Sequence, residues 1–236
     1  MKEIEHIVSL SHWINEDTPV YGNKGGFKRR NLSSIQNGDT ANSEYWEFNN
    51  HIGTHIDFPK HFCKNGKSSS DYSASYFCMK NAAVIELDMV PDPGQIIGVN
   101  DITNACSLLD WNLEVLLLKT GFEKFRTTDI YWSQNPGYHP ELYGYLRTKF
   151  PLLRFFGFDT ISLTSILNRE LGKSAHKEFL CNEAPILVVE DMRLQYINST
   201  IIPFETMIIP LPIEQADGVP VACYFKYMQN EPSRIL

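Results

Sequence analysis

The sequence predicts a mixed α/β fold with more strand than helix, and three observations carry that expectation. Short runs rich in Val, Ile and aromatics, bounded by Gly, Pro, Asn or Asp, recur along the chain. Helical signals are fewer. The runs "LLL" and "ILVV" are apolar at every position, as strands covered on both faces are.

In chain order the strand candidates are "HIVSL", "EYWEFNN", "AAVIELD", "EVLLLKT", "PILVVE", "TMIIPLPI" and "VPVACYFKY". Among the helices, "VNDITNACSLLD" is expected to start at an Asn100 or Asp101 cap. "HPELYGYLRTKF" places Pro140 at a first helical position, and "TSILNRELGKSAHKEFL" carries apolar residues at helical spacing. No repeat, low-complexity tract or linker divides residues 1–236, so one domain is expected.

The composition, 43 % hydrophobic and 21 % charged, is that of an ordinary globular protein. With 28 acidic against 21 basic residues, net charge −7 and no Lys/Arg cluster, there is no footprint for nucleic acid or an anionic membrane. A small-molecule partner is the better expectation. The N-terminal "MKEIEHIVSLSHWINEDTPVYG" is broken by Glu, His and Asp, and no later run approaches the roughly 20 apolar residues of a membrane span, so a cytoplasmic protein is expected. Five cysteines (Cys63, Cys78, Cys106, Cys181, Cys223), odd in number and without CxxC, read as reduced core thiols, Cys63 being a small filler beside a site.

That site is "NNHIGTHIDFPKHF", residues 49–62, which holds three of the seven histidines. His51, His55 and Asp57 offer imidazole nitrogens and a carboxylate, the ligand set of zinc and of manganese or iron. In a straight strand His51 and His55 would lie roughly 13 Å apart, too far for one ion. A helix is disfavoured by β-branched Ile52, Thr54 and Ile56, by Gly53 and by Pro59. A kink at Gly53, which tolerates backbone angles closed to other residues, would fold both imidazoles towards one point. His61, four residues past Asp57, suits general acid/base work, because an imidazole titrates near neutrality.

"HIGTHIDFPKHF" fills every fixed position of the HxGTHxDxPxHF signature, and the chain thereby resembles the cyclase family of metal-dependent hydrolases, which includes kynurenine formamidases and isatin hydrolases. The likeness runs on through "LSHWINEDTPVYGN", "LLLKTGFEKF", "FFGFDTISLTS" and "AHKEFL…PILVVEDM". It implies a barrel-like core of mixed sheets with flanking helices, of swivelling β/β/α type. It further implies that His51, His55 and Asp57 bind a divalent metal, zinc first, that His61 is the catalytic histidine, and that His176 and Glu190 complete a second ion. A carboxylate ending the apolar run "PILVVE" is costly unless paired or bound to a cation, which independently supports Glu190; Glu183 in the preceding connection is the fallback. The interval from His176 to Glu190 is slightly longer than in dedicated kynurenine formamidases, which weakens the substrate assignment.

By the same resemblance, the segment holding His12, Trp13 and Tyr21 approaches the site, with Trp13 and Tyr21 as an aromatic wall for a flat substrate, and the chain forms a homodimer or homotetramer. "NPGYHPEL" reads as a turn before a helix, leaving His139 without a catalytic part. There is no GxGxxG, GxxxxGK[ST] or GxSxG to support a nucleotide site or a serine hydrolase. The expected reaction is metal-dependent hydrolysis of a small amide-type C–N bond, with arylformamidase first. Lactam hydrolysis of the isatin type, ring-forming cyclisation, or metal binding without turnover are the alternatives.

Overall fold

A computed structural model describes residues 3–230; residues 1–2 and 231–236, the ends of the expected 1–236 domain, lie outside the described residues. In chain order the strands are β1 (Glu3–Ser9), β2 (Lys28–Ser33), β3 (Ser43–Glu47), β4 (His55–Asp57), β5 (Cys78–Met79), β6 (Ala82–Glu86), β7 (Ile96–Ile97), β8 (Val115–Lys119), β9 (Gly137–Tyr138), β10 (Phe155–Phe158), β11 (Leu187–Glu190), β12 (Pro203–Pro210) and β13 (Gly218–Asn230). The helices are α1 (Val99–Ser107), α2 (Ile130–Ser133), α3 (Glu141–Lys149) and α4 (Arg169–Cys181). The mixed α/β architecture expected from the sequence is present as a nearly closed barrel of mixed sheet with few flanking helices.

One nine-stranded sheet runs in the order β5-β12-β13-β4-β11-β10-β8-β6, with β1 also paired to β13. Its β6-β8-β10-β11 half is parallel. Those strands are apolar throughout because both faces are covered: Val115, Leu116, Leu117, Leu118, Phe155 and Phe156 are all fully buried. On that half α1 packs against β6 and α4 against β11, with α3 in contact with both helices. The other half is antiparallel, built on the 13-residue β13, and β12 approaches β6 to bring the two ends of the sheet together.

Strand β4 is the seam between the halves. It is only three residues long, antiparallel to β11 on one side and to β13 on the other. Period-two alternation turns Ile56 into the core, fully buried, and sends His55 and Asp57 to the opposite face.

Two local expectations change. In α1 the N-cap is Gly98, and Asp101 sits at the third helical position, its carboxylate accepting the Gly98 N–H at 2.6 Å. α4 starts at Arg169, because residues 164–168 are drawn into loop contacts such as Asn135 with the Thr164 carbonyl.

The thiols change more. Cys63 and Cys181 form a disulfide between positions 118 residues apart, and only Cys78, Cys106 and Cys223 are free. The turn after His61 and the end of α4 bring their Cα atoms to 5.6 Å, a proximity that spacing along the chain does not reveal. Among the described residues no helix is long and apolar enough to cross a membrane.

Candidate metal centre

Gly53 is where the site begins. Its φ of +59° is the left-handed conformation that glycine adopts without cost, and the resulting kink brings the His51 and His55 rings to 5.2 Å between centroids. A straight strand would leave them more than twice as far apart. The kink also lets the His55 Nδ1–H donate to the Gly53 carbonyl at 2.8 Å, which leaves Nε2 facing inward with its lone pair.

The register of β4 then delivers the carboxylates. Glu190 on β11 lies opposite His55, and Asp57 lies two residues along on the same face. From α4, His176 enters with its Nδ1–H donating to the Gly172 carbonyl at 2.9 Å and close to the Thr164 hydroxyl at 3.1 Å. Its Nε2 is therefore also turned inward. The Leu163 N–H donates to Glu190 Oε1 at 2.7 Å and orients that carboxylate.

These side chains form two groups that share Asp57. Ligand atoms of His51, His55 and Asp57 lie within 4.8 Å of one another, as do those of Asp57, His176 and Glu190. His51 is hydrogen-bonded, its Nδ1 2.8 Å from Asp57 Oδ1, whereas the contacts of the other two histidines are longer: His55 Nε2 to Asp57 Oδ1 3.6 Å and to Glu190 Oε2 3.3 Å, and His176 Nε2 to Asp57 Oδ2 3.5 Å and to Glu190 Oε1 3.4 Å. Hydrogen bonds of this kind are shorter, near 2.8 Å. Two ligands held about 2.1 Å from one ion, by contrast, stand roughly 3.4 Å apart. Asp57 Oδ2 is buried and has no hydrogen-bond partner. The residues thus fit a divalent cation, with Asp57 placed to reach two.

Electrostatics agree with the geometry. Burial works against a charged His51, yet Asp57 and Asp217 outweigh it and raise the imidazole to about 10; His176, also buried, is raised to about 10 by Asp57 and Glu190. Burial opposes ionisation of Asp57 too, but the surrounding histidines hold its carboxyl well below the usual range. The pocket is organised around positive charge between its two carboxylates.

His61 adjoins the cluster on the His51 side, where ligand atoms of His51, His61 and Asp217 also lie within 4.8 Å of one another. Its Nδ1 is 3.0 Å from Asp217 Oδ2, its ring is 4.1 Å from that of His51, and burial, helped by the neighbouring histidines, lowers its pKa. A neutral imidazole oriented by a carboxylate is equipped to take up a proton and return it. Asp217 is the residue of this cluster that the sequence did not reveal. "ADGVP" reads as an ordinary turn before a strand, and nothing local marks its aspartate; Asp217 meets His51 and His61 only because β13 pairs with β4.

All six residues singled out as ligands or proton carrier converge on one cavity of about 460 Å³. Tyr21 lines it as well, together with Phe62 and Ile161. Trp13 does not; its side chain is 86 % exposed. His12 faces Glu123 at 3.4 Å, Glu183 is exposed on the loop before β11, and His139 contacts Glu141 away from the cavity.

The profile of the family described as putative cyclase matches residues 8–164. A kynurenine formamidase of Geobacillus thermodenitrificans is 27 % identical over 225 residues, covering 94 % of this chain and 97 % of the relative. In fold, the chain resembles isatin hydrolase A from Labrenzia aggregata, with a TM-score of 0.76 and 19 % identity over 95 % of this chain and 94 % of the other. It also resembles a structure described as a potential metal-dependent hydrolase with cyclase activity, with a TM-score of 0.73 and 19 % identity over 97 % of this chain and all of the other.

Proposed function

This chain belongs to the putative cyclase family, and from that premise we propose that it is a metal-dependent hydrolase of a small amide-type C–N bond, with an N-formyl arylamine as its first-choice substrate. The observation that carries the reading is the convergence of His51, His55, Asp57, His176 and Glu190 beside an adjoining, carboxylate-oriented His61. A divalent cation held there, zinc first with manganese or iron as alternatives and one or two ions per chain, supplies Lewis acidity that acidifies water and polarises a carbonyl.

The chain's own residues do the rest. By donating Nδ1–H to backbone carbonyls, His55 and His176 present Nε2 as the nitrogen that would face a cation, and Glu190 is fixed by the Leu163 amide. His61 accepts the proton of the attacking water and passes it to the leaving nitrogen, while Asp217 holds the ring and steadies its charged form. Phe62, Ile161 and Tyr21 offer apolar area to a flat ring and limit water around it.

His61→Ala tests this division of labour: it should keep its metal and lose at least about 100-fold in turnover. Retention of most of the wild-type rate would overturn the proton-carrier role. A lactam such as isatin is the second reading, supported by the shared fold of isatin hydrolase A. Hydrolysis of a panel of N-formyl arylamines, N-formylkynurenine among them, and of isatin in parallel separates the two, and inactivity on every compound would remove the specific claim.

We further propose a homodimer or homotetramer. The ribbon β2–β3 leaves Leu32, Tyr45 and Trp46 exposed, an apolar surface suited to a second copy. Light scattering that returned a monomer mass would reject it.

A further inference from the structure

The rim of the cavity is cationic, carried by three solvent-exposed side chains. Lys24, Arg169 and Lys173 all line it. Arg169 and Lys173 belong to the same helix as the ligand His176, at intervals of four and three residues, so the three share one stripe of α4. At 1.5 Å per residue, Lys173 lies roughly 5 Å and Arg169 roughly 10 Å from His176 along the axis. Among the described residues, Lys24 and Arg169 have no ion-pair partner, and Lys173 touches only Glu170, an exposed pair that does little to hold it away.

The acids of the cavity are all committed elsewhere. Asp57 and Glu190 face the histidines. Asp191 receives two guanidinium hydrogen bonds from Arg126, at 2.8 and 2.7 Å, and one from the Tyr131 hydroxyl at 2.6 Å. No carboxylate is left to receive an ammonium group. Beside the cations, the buried Tyr21 hydroxyl lies next to the Arg169 guanidinium, so the two present polar atoms to the same part of the cavity.

We infer that Arg169, Lys173 and Lys24 select a substrate bearing a carboxylate or similar anion roughly 5–10 Å from the reacting carbonyl, with no ammonium beside that anion. The inference deepens the hydrolase reading and rests on it for the reaction. It departs from that reading in substrate: a zwitterionic amino acid such as N-formylkynurenine would bring its ammonium against three cations with no acid to meet it.

The test separates binding from turnover. Titration calorimetry on the metal-loaded protein compares 3-phenylpropionate with neutral 3-phenylpropanamide. Because a carboxylate also approaches the metal, the variants decide: Arg169→Gln should weaken 3-phenylpropionate about 5-fold and Arg169→Gln/Lys173→Gln roughly 20-fold. Binding of the amide should stay unchanged in both, which also shows that the cavity is intact. Turnover is then read on 3-(2-formamidophenyl)propanoate, its primary amide and N-formylkynurenine, with the highest kcat/KM expected for the propanoate. Unchanged 3-phenylpropionate affinity in the double variant would overturn the inference, as would N-formylkynurenine processed as well as the propanoate. If none of the three is hydrolysed while the variants still lose the anion, the hydrolase reading fails and the cationic subsite stands.

Discussion

Gly218 opens β13 opposite Asp57, and it is the residue through which a single methyl group should dismantle the site while leaving the fold in place. A Cβ at this position would lie 2.8 Å from both ring nitrogens of His51 and closer still to Cε1. Ordinary contact begins near 3.5 Å, so in Gly218→Ala the His51 ring has to retreat by more than about 1 Å. Metal–ligand distances tolerate only about 0.2 Å. The ring can move, since its side chain is 23 % exposed, but the Asp57 and Asp217 contacts that orient it are lost on the way. Disturbing a ligand's orientation costs about 10–100-fold in metal affinity, and that is the expected loss here. Equilibrium dialysis against zinc, with metal quantified per chain, reads it directly; thermal unfolding of the metal-free protein should differ little from wild type. Wild-type zinc affinity in Gly218→Ala would refute the argument that His51 is held as a ligand in this orientation.

Two further outcomes follow from groups outside the cavity. Denatured but unreduced protein should expose three alkylatable thiols and reduced protein five, by mass spectrometry, because Cys63 and Cys181 are joined; five without reduction would restore the reduced state expected of a cytoplasmic chain. Burial, reinforced by Arg126 and Arg193, holds His12 at about 4 against an ordinary 6.5, so stability is lost as pH falls from 6.5 towards 4; burial and Asp159 raise Glu123 from 4.5 to about 7, so stability is gained as pH falls from 7 towards 4.5. Glu123→Gln removes the gain and keeps the loss, and its urea-unfolding free energy should fall behind the wild-type trend by about 3 kcal/mol between pH 7 and 4.5; parallel profiles would contradict it.

Much of the site was legible because its chemistry is concentrated in one stretch. His51, His55, Asp57 and His61 lie within eleven residues, and Gly53 between them announces the kink that its φ of +59° displays. The apolar runs "VLLLK" and "LVVE" were equally legible, since a strand covered on both faces has no polar positions to spare. Strand β4 was not, because three residues are too few for alternation to register. "KRRNLS" escaped for another reason: β2 is held by its partner β3 and is exposed along nearly its whole length. Cys63 and Cys181 gave no spacing signal, since 118 residues separate two positions that become neighbours only when α4 packs beside the turn after His61.

By itself, then, the sequence determined the mixed α/β class, the imidazole and carboxylate groups of the candidate metal centre and the kinked segment that gathers three of them, all consequences of local backbone preference and hydrophobic pattern. Tertiary structure alone decided that Glu190 faces His55 across a strand pair, that Asp217 orients His61 from 156 residues away, and that the stripe of α4 carrying His176 also turns Arg169 and Lys173 into the cavity. Those placements depend on strand register and helix docking, which are set by burial summed over the whole chain and leave no mark at the positions they bring together.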